Sequence, residues 1–189
     1  MTLSIRPEAP EDHEAVDDVV QQAFGQPDEA RIVEALRGTD SWALSLVAEE
    51  DGEVVGHVLF SRARLEDAQT SRAVLLLAPL AVRPDRQLRG IGSALVRAGF
   101  EAARAAGEAL VLVVGSSDYY PRLGFEQGSE RGIQNPFPGV PEEDFMALGL
   151  SEGSRGWSGG GPVPPGVRRL KGRTTVPRLG SEARTWLSW

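Results

Sequence analysis

The chain has 189 residues, 41% of them apolar and 25% charged, enough for one domain with a real hydrophobic core. A net charge of −7 and a pI near 5.0 exclude the broad basic footprint of a nucleic-acid binder. Cysteine is absent and histidine occurs only twice, which excludes disulfides, thiolate or His-rich metal sites, and an acyl-cysteine intermediate.

No run of about 18 apolar residues occurs, so no membrane span is expected. Met1-Thr2-Leu3-Ser4-Ile5-Arg6 lacks the charged-then-apolar order of a secretory signal. The expected location is the cytoplasm.

Leu3 and Ile5 alternate with polar neighbours and predict a short strand. Pro10-Glu11-Asp12 is an acidic helix start. Val16, Val19, Val20, Ala23 and Phe24 follow at helical spacing up to Gly25, and Ile32, Val33 and Leu36 mark a second helix ended by Gly38. The period then changes to two. Trp42, Leu44, Leu46 and Ala48 predict a one-sided strand, Glu50-Asp51-Gly52-Glu53 a hairpin turn, and Val54, Val55, Val58 and Phe60 the returning strand. A polar loop around Glu66 to Ser71 leads to the apolar run Val74 to Val82, a central strand buried on both faces. Pro79 inside it predicts a bulge or a parting from a neighbour, since proline cannot donate to a ladder.

Gly90 to Ala106 is helical again through Ile91, Leu95, Ala98, Ala102 and Ala105, stopped by Gly107. Leu110 to Val114 is a second apolar strand, so the unit is βαβ with parallel strands. Asp118 to Leu123 reads as a brief helix or turn and Phe145 to Leu150 as a late strand. Residues 151–166 are rich in Gly, Ser and Pro. Residues 167–189 carry six cations on 23 residues, a basic C-terminal extension to a domain spanning 1–166. Trp157 could cover the core edge or line a pocket. Trp186 and Trp189 could dock on another subunit, with disorder as the default.

The stretch most informative for chemistry is Gln87-Leu88-Arg89-Gly90-Ile91-Gly92-Ser93, between a buried strand and the following helix. Its glycines allow a tight turn and close ligand approach. The helix start offers free N–H groups and partial positive charge, a seat for a pyrophosphate. Arg83, Arg86 and Arg89 fall within seven residues of an acidic chain and imply a local anionic ligand. Alone, the stretch is equally consistent with a plain strand-to-helix turn. Its glycine offsets fit neither the dinucleotide fingerprint nor the P-loop.

Leu80-Ala81-Val82 followed by Gln87-x-x-Gly90-x-Gly92 resembles the coenzyme A signature of the GNAT N-acetyltransferase superfamily. Tyr120-Pro121-Arg122-Leu123-Gly124-Phe125 resembles its Y-x-K/R-x-G-F motif. The two occur in the right order, about 30 residues apart and separated by a helix and a strand. The resemblance covers roughly residues 3–150. A finer one, to a bacterial subgroup of predicted N-acetyltransferases, rests on Tyr119 to Phe125, Pro136-Phe137, Val140-Pro141-Glu142 and Phe145-Met146-Ala147-Leu148. Many relatives place an Asn ahead of the tyrosine, where this chain has Gly115-Ser116-Ser117-Asp118.

The resemblance implies an α/β fold of the GNAT acyl-CoA N-acyltransferase type. Helices would flank a mixed central sheet with a splayed parallel strand pair, and acetyl-CoA would be the acyl donor, without metal. Backbone groups of Leu80, Ala81 and Val82 would pair with the pantetheine arm. Gln87, Leu88, Arg89, Gly90, Ile91, Gly92 and Ser93 would hold the pyrophosphate, with Arg83, Arg86 or Arg89 reaching the terminal ribose phosphate. Tyr120 would be the general acid, with Tyr119 as its rival.

The base is not legible. His57 reads as structural, Glu66 and Asp67 as solvated loop charges, and His13 as an ordinary residue on an acidic helix face. The acceptor is an amine of unspecified kind, met by residues 22–40 and 126–145. Among these Glu29, Glu34, Glu142, Glu143 and Asp144 could attract a cation. Neither nucleic acid nor a membrane is expected as partner, and dimerisation is a family-level expectation. The alternative function is a non-catalytic acetyl-CoA sensor.

Overall fold

The computed structural model describes residues 2–66, 71–150 and 169–170. The strands are β1 (Leu3–Pro7), β2 (Trp42–Glu50), β3 (Glu53–Glu66), β4 (Ser71–Val82), β5 (Leu110–Val114), β6 (Glu126–Gln127), β7 (Phe145–Gly149) and β8 (Arg169–Leu170). The α-helices are α1 (His13–Phe24), α2 (Asp28–Leu36) and α3 (Ile91–Ala105). No helix among the described residues is long and apolar enough to cross a membrane. The Gly/Ser/Pro stretch, the three C-terminal tryptophans and Asp67 lie outside the described residues, as does the basic extension apart from Arg169–Leu170.

Two compact units divide the chain: Met1–Ser61 with Leu77–Ala103, and Arg62–Leu76 with Arg104–Trp189. In the first, strand order is β1-β2-β3-β4. The β2–β3 turn is the expected hairpin: Asp51 (φ 52°) and Gly52 (φ 87°) are both left-handed, and Glu50 pairs directly with Glu53. That backbone matches the strand twist, and an Asp-Gly step supplies it at low cost. Helices α1 and α2 bury Val16, Val19, Val20, Ala30, Val33 and Leu36 against Val47, Leu59 and Ala81 of the strands.

The alternation in β2 is less simple than its apolar pattern predicts. Ser45 to Ala48 are all buried, because α1 and α2 cover the Val47 face and α3 covers the Ala48 face.

In the second unit, strand order is β3-β4-β5-β7-β6, with β8 on β3. Strands β4 and β5, joined through α3, are the parallel pair of a mixed sheet. Strand β7 runs antiparallel to β5, Val114 opposite Phe145 and Leu110 opposite Gly149. The core gathers Leu65, Val74, Leu76, Leu110, Leu112, Ile133, Phe145 and Ala147.

Strand β3 extends six residues past Phe60, to Glu66. Ser61, Ala63 and Leu65 are buried while Arg62 and Arg64 are exposed, so the strand period continues beneath a polar-looking sequence. Strand β4 continues through Pro79, across a cis Ala78–Pro79 bond.

Candidate active site

In the first unit, α3 is seated on the sheet by two glycines. A Cβ at Gly56 of β3 would lie 3.0 Å from Leu95 Cδ1 and 3.2 Å from Ile91 Cγ2. A Cβ at Gly99 of α3 would lie 2.3 Å from the Phe60 ring. Backbone and helix approach closely only because both side chains are missing. Ile91 is the first residue of α3, so this packing also fixes where the helix begins.

The preceding loop is held in an uncommon shape. Leu88 sits in the left-handed region (φ 59°) and is fully exposed, and Gly90 follows at φ 83°. A non-glycine residue at positive φ is sparsely populated, and outside a hairpin turn it singles a loop out for attention. The Gln87 side-chain amide donates to the Val82 carbonyl at 3.0 Å, tying the loop to the end of β4. The Ala94 N–H donates to the Gly90 carbonyl at 3.0 Å, opening the helical ladder. The Ile91 and Gly92 amides, one turn earlier, have no intrahelical acceptor. Among the described residues nothing lies within 4 Å of a Cβ built on Gly90, so this backbone is open to approach.

The three arginines are engaged with acids. Arg83 Nε donates to Asp85 Oδ1 at 2.7 Å, and Arg83 Nη1 to Glu53 Oε2 at 3.2 Å. Arg86 Nε donates to Glu50 Oε2 at 2.8 Å, and Arg86 Nη1 to Asp85 Oδ2 at 2.5 Å. Arg89 Nη2 donates to Glu50 Oε1 at 2.9 Å. Arg83 holds the Asp85 carboxyl below its ordinary value. Sequence reasoning singled out the arginines and missed Glu50. Its signal was present: a glutamate on each side of an Asp-Gly turn.

In the second unit, Tyr120 opens a short 3-10 turn, Tyr120–Leu123. The Tyr119 and Tyr120 amides donate to the Ser116 carbonyl at 3.0 and 3.2 Å. The turn before it is anchored on buried Asp144, whose carbonyl accepts from Gly115 N–H at 2.9 Å and whose Oδ1 accepts from Ser117 N–H at 3.3 Å. Asp144 therefore orders this turn. The Tyr120 ring meets Tyr119 edge-on at 5.1 Å and Phe125 edge-on at 5.5 Å. It lies over Gly115, where a Cβ would fall 2.2 Å from Tyr120 Cε2. Burial raises the phenol well above its ordinary value of about 10, and Tyr119 adds to the rise. Tyr120 is therefore protonated at any physiological pH.

His57, on β3, is fully buried. Its Nε2 lies 2.8 Å from Ser45 Oγ and 3.2 Å from Glu8 Oε2. Ser45 Oγ donates to Glu8 Oε2, and Arg37 Nε to Glu8 Oε1 at 3.0 Å. His57 Nδ1 has no hydrogen bond among the described residues. Burial lowers His57 against the pull of Glu8, so the imidazole is neutral, with its proton assigned to Nε2 to suit Glu8. Burial also acts to raise Glu8, but the His57 and Ser45 hydrogen bonds, with Arg37, carry it down to about 2. The two shifts agree once the histidine is a neutral donor and Arg37 is the counter-charge.

Of the acids named as cation attractors, Glu34, Glu142 and Glu143 are exposed. Glu29 is buried, accepting from Gln26 Nε2 at 2.9 Å on one oxygen and without a hydrogen-bond partner among the described residues on the other.

A family model described as Acetyltransferase (GNAT) domain matches residues 4–128. The chain belongs to the GNAT acetyltransferase family. It is therefore an acyltransferase.

The chain is 43% identical over 129 residues to the uncharacterized N-acetyltransferase YjhQ of Escherichia coli K12, covering 67% of this chain and 71% of that protein. It is similar to the GNAT family N-acetyltransferase YhbS of Escherichia coli, solved in complex with CoA. Identity there is 32% and the TM-score 0.73, covering 80% of this chain and 83% of that one. It is also similar to a GNAT family acetyltransferase from Brucella melitensis in complex with acetyl-CoA. Identity there is 30% and the TM-score 0.68, covering 92% and 97%.

Proposed function

We propose that this GNAT acetyltransferase takes acetyl-CoA as its donor and an amine as its acceptor, with Tyr120 as the proton donor. The observation that carries the donor reading is the left-handed pair Leu88 and Gly90 ahead of α3, with open space over Gly90. Backbone in this conformation turns successive N–H groups toward one side and suits an anion, and the helix start adds positive potential. The donor set fits a pyrophosphate. The solved relatives at 32% and 30% identity, in complex with CoA and acetyl-CoA, support the same reading.

Leu88, Arg89, Gly90, Ile91, Gly92 and Ser93 would hold the pyrophosphate. Gln87 serves from behind by fixing the end of β4. Leu80, Ala81 and Val82 would offer backbone groups to the pantetheine arm. Bound acetyl-CoA supplies a thioester-activated acetyl group.

The acceptor nitrogen must first shed a proton, because an alkylamine has a pKa of about 10.4. That proton leaves through water to a base. As the N–C bond forms and the C–S bond breaks, the sulfur needs a proton, and Tyr120 Oη holds one. The phenolate is then restored by a proton equivalent to the one the amine released. Burial in an apolar wall of Tyr119 and Phe125 keeps Tyr120 protonated until this moment.

The test is free-thiol release from acetyl-CoA across a panel of amines, with wild type beside Tyr120→Phe. Amine-dependent release that drops by about 10²–10⁴ in kcat for the variant is expected. A variant that keeps wild-type kcat overturns the role of Tyr120. Failure of every amine to stimulate release, despite donor binding, overturns the choice of acceptor.

A further inference from the structure

Glu50 and Glu53 are register partners, directly opposite one another at the mouth of the β2–β3 hairpin. Like charges in that position repel and destabilise a strand pair. Each of these acids nevertheless receives an arginine from the loop after β4. Glu53 takes Arg83, and Glu50 takes Arg86 on one oxygen and Arg89 chiefly on the other. Glu50 is itself buried to 7% exposure, so its carboxylate depends on these partners.

The two arginines it grips stand on either side of Gln87-Leu88, and Leu88 is the residue held at φ 59°. A strained, fully exposed leucine persists only where its surroundings over-determine the backbone. Glu50 is the group that gathers the chain on both sides of it.

We infer that Glu50 is a positioning residue for donor binding: it clamps Arg86 and Arg89 and thereby fixes the Leu88–Gly90 backbone in its anion-receiving shape. The inference rests on the reading that this loop takes the pyrophosphate of acetyl-CoA. It also reassigns the arginines. Arg83, Arg86 and Arg89 share three acids, Glu50, Glu53 and Asp85, so the cluster is balanced in charge. Arg86 and Arg89 act as pins for the loop, and the amides carry the recognition.

Calorimetric titration of acetyl-CoA and of dephospho-CoA into wild type, Glu50→Gln and Arg89→Gln tests this, beside steady-state kinetics. Glu50→Gln is expected to weaken both ligands by about tenfold, the worth of one charge-assisted pin. KM for acetyl-CoA should rise in step, with kcat moving less than about twofold. Hydrogen exchange at the Leu88–Ile91 amides should quicken in the ligand-free variant. Arg89→Gln, at a half-exposed side chain, should show the same pattern more weakly, and the double variant should be no worse than Glu50→Gln alone.

If Glu50→Gln does not fold, Arg89→Gln carries the same comparison. Unchanged binding with unchanged exchange overturns the inference. So does a loss confined to acetyl-CoA and absent with dephospho-CoA, or tighter acetyl-CoA binding, since either makes the arginines direct ligands of the ribose phosphate. Wild type that binds neither ligand brings down the donor reading itself, and that result is seen before any variant is compared.

Discussion

Gly115→Ala isolates the placement of Tyr120 from its chemistry. Gly115 does not occupy the left-handed region, so alanine suits its backbone and the perturbation is one methyl group. That methyl would stand 2.2 Å from Tyr120 Cε2 and 2.9 Å from Cδ2. Ordinary contact begins near 3.4 Å, so the ring must retreat by about 1.2 Å. It cannot do so freely, because Phe125 and Tyr119 meet it edge-on.

Overpacking of this kind costs about 1–3 kcal/mol and should lower Tm by several degrees in a chain of this size. A misplacement of about 1 Å can cost roughly 10²-fold in rate. Thiol-release kinetics at saturating donor and acceptor should therefore show kcat down about a hundredfold in Gly115→Ala. Tyr120→Phe should keep Tm near wild type and lose kcat comparably or more. Because both act through one hydroxyl, the double variant should be close to Tyr120→Phe alone. A Gly115→Ala protein that melts early yet keeps wild-type kcat would refute the reasoning, since the ring would have moved without consequence.

Three stability predictions rest on buried groups in the first unit. Glu8→Gln should lose about 2 kcal/mol in urea unfolding at pH 7, the worth of a charged hydrogen-bond acceptor. Glu8 lies at about 2 when folded against 4.5 unperturbed, so the unfolded chain binds the extra proton. Wild-type stability should fall as pH drops from about 4.5 to 2, and the variant should lack the share of this slope that Glu8 contributes. Glu29 has the opposite sign. Burial raises its carboxyl, so its contribution is full below 4.5 and lost as pH climbs through the folded value. Glu29→Gln should therefore gain stability over wild type at pH 8 and not at pH 4. Gly99→Ala places a methyl 2.3 Å from Phe60 and should cost about 1–3 kcal/mol by thermal melt, with donor affinity falling as the start of α3 shifts.

What the sequence made legible follows from how local each feature is. The Asp51-Gly52 hairpin, the α3 boundaries and the apolar β5 run are decided by residues next to one another, and all are found where the pattern puts them. The family could be recognised because Gln87-x-x-Gly90-x-Gly92 and Tyr120 to Phe125 are contiguous motifs. The β3 extension was hidden because Arg62 and Arg64 look like a loop until Ser61, Ala63 and Leu65 are seen to be buried beneath them. The network of Glu8, Ser45 and His57 was hidden because its members lie up to 49 positions apart, and no period in the chain relates them.

The arginine cluster is the most instructive case. Three cations in seven residues read as a ligand site when only the chain near them is visible, because electrostatics in sequence is counted along the strand that carries the charge. In the folded chain the decisive neighbours are Glu50 and Glu53, thirty or more positions away. On the inference drawn above, opposite charges that meet only through the fold cancel there, and the backbone is left to receive the anion. An arginine beside a glycine-rich loop thus has two possible employments, ligand or pin. Its partner across the hairpin, which spacing cannot report, decides between them.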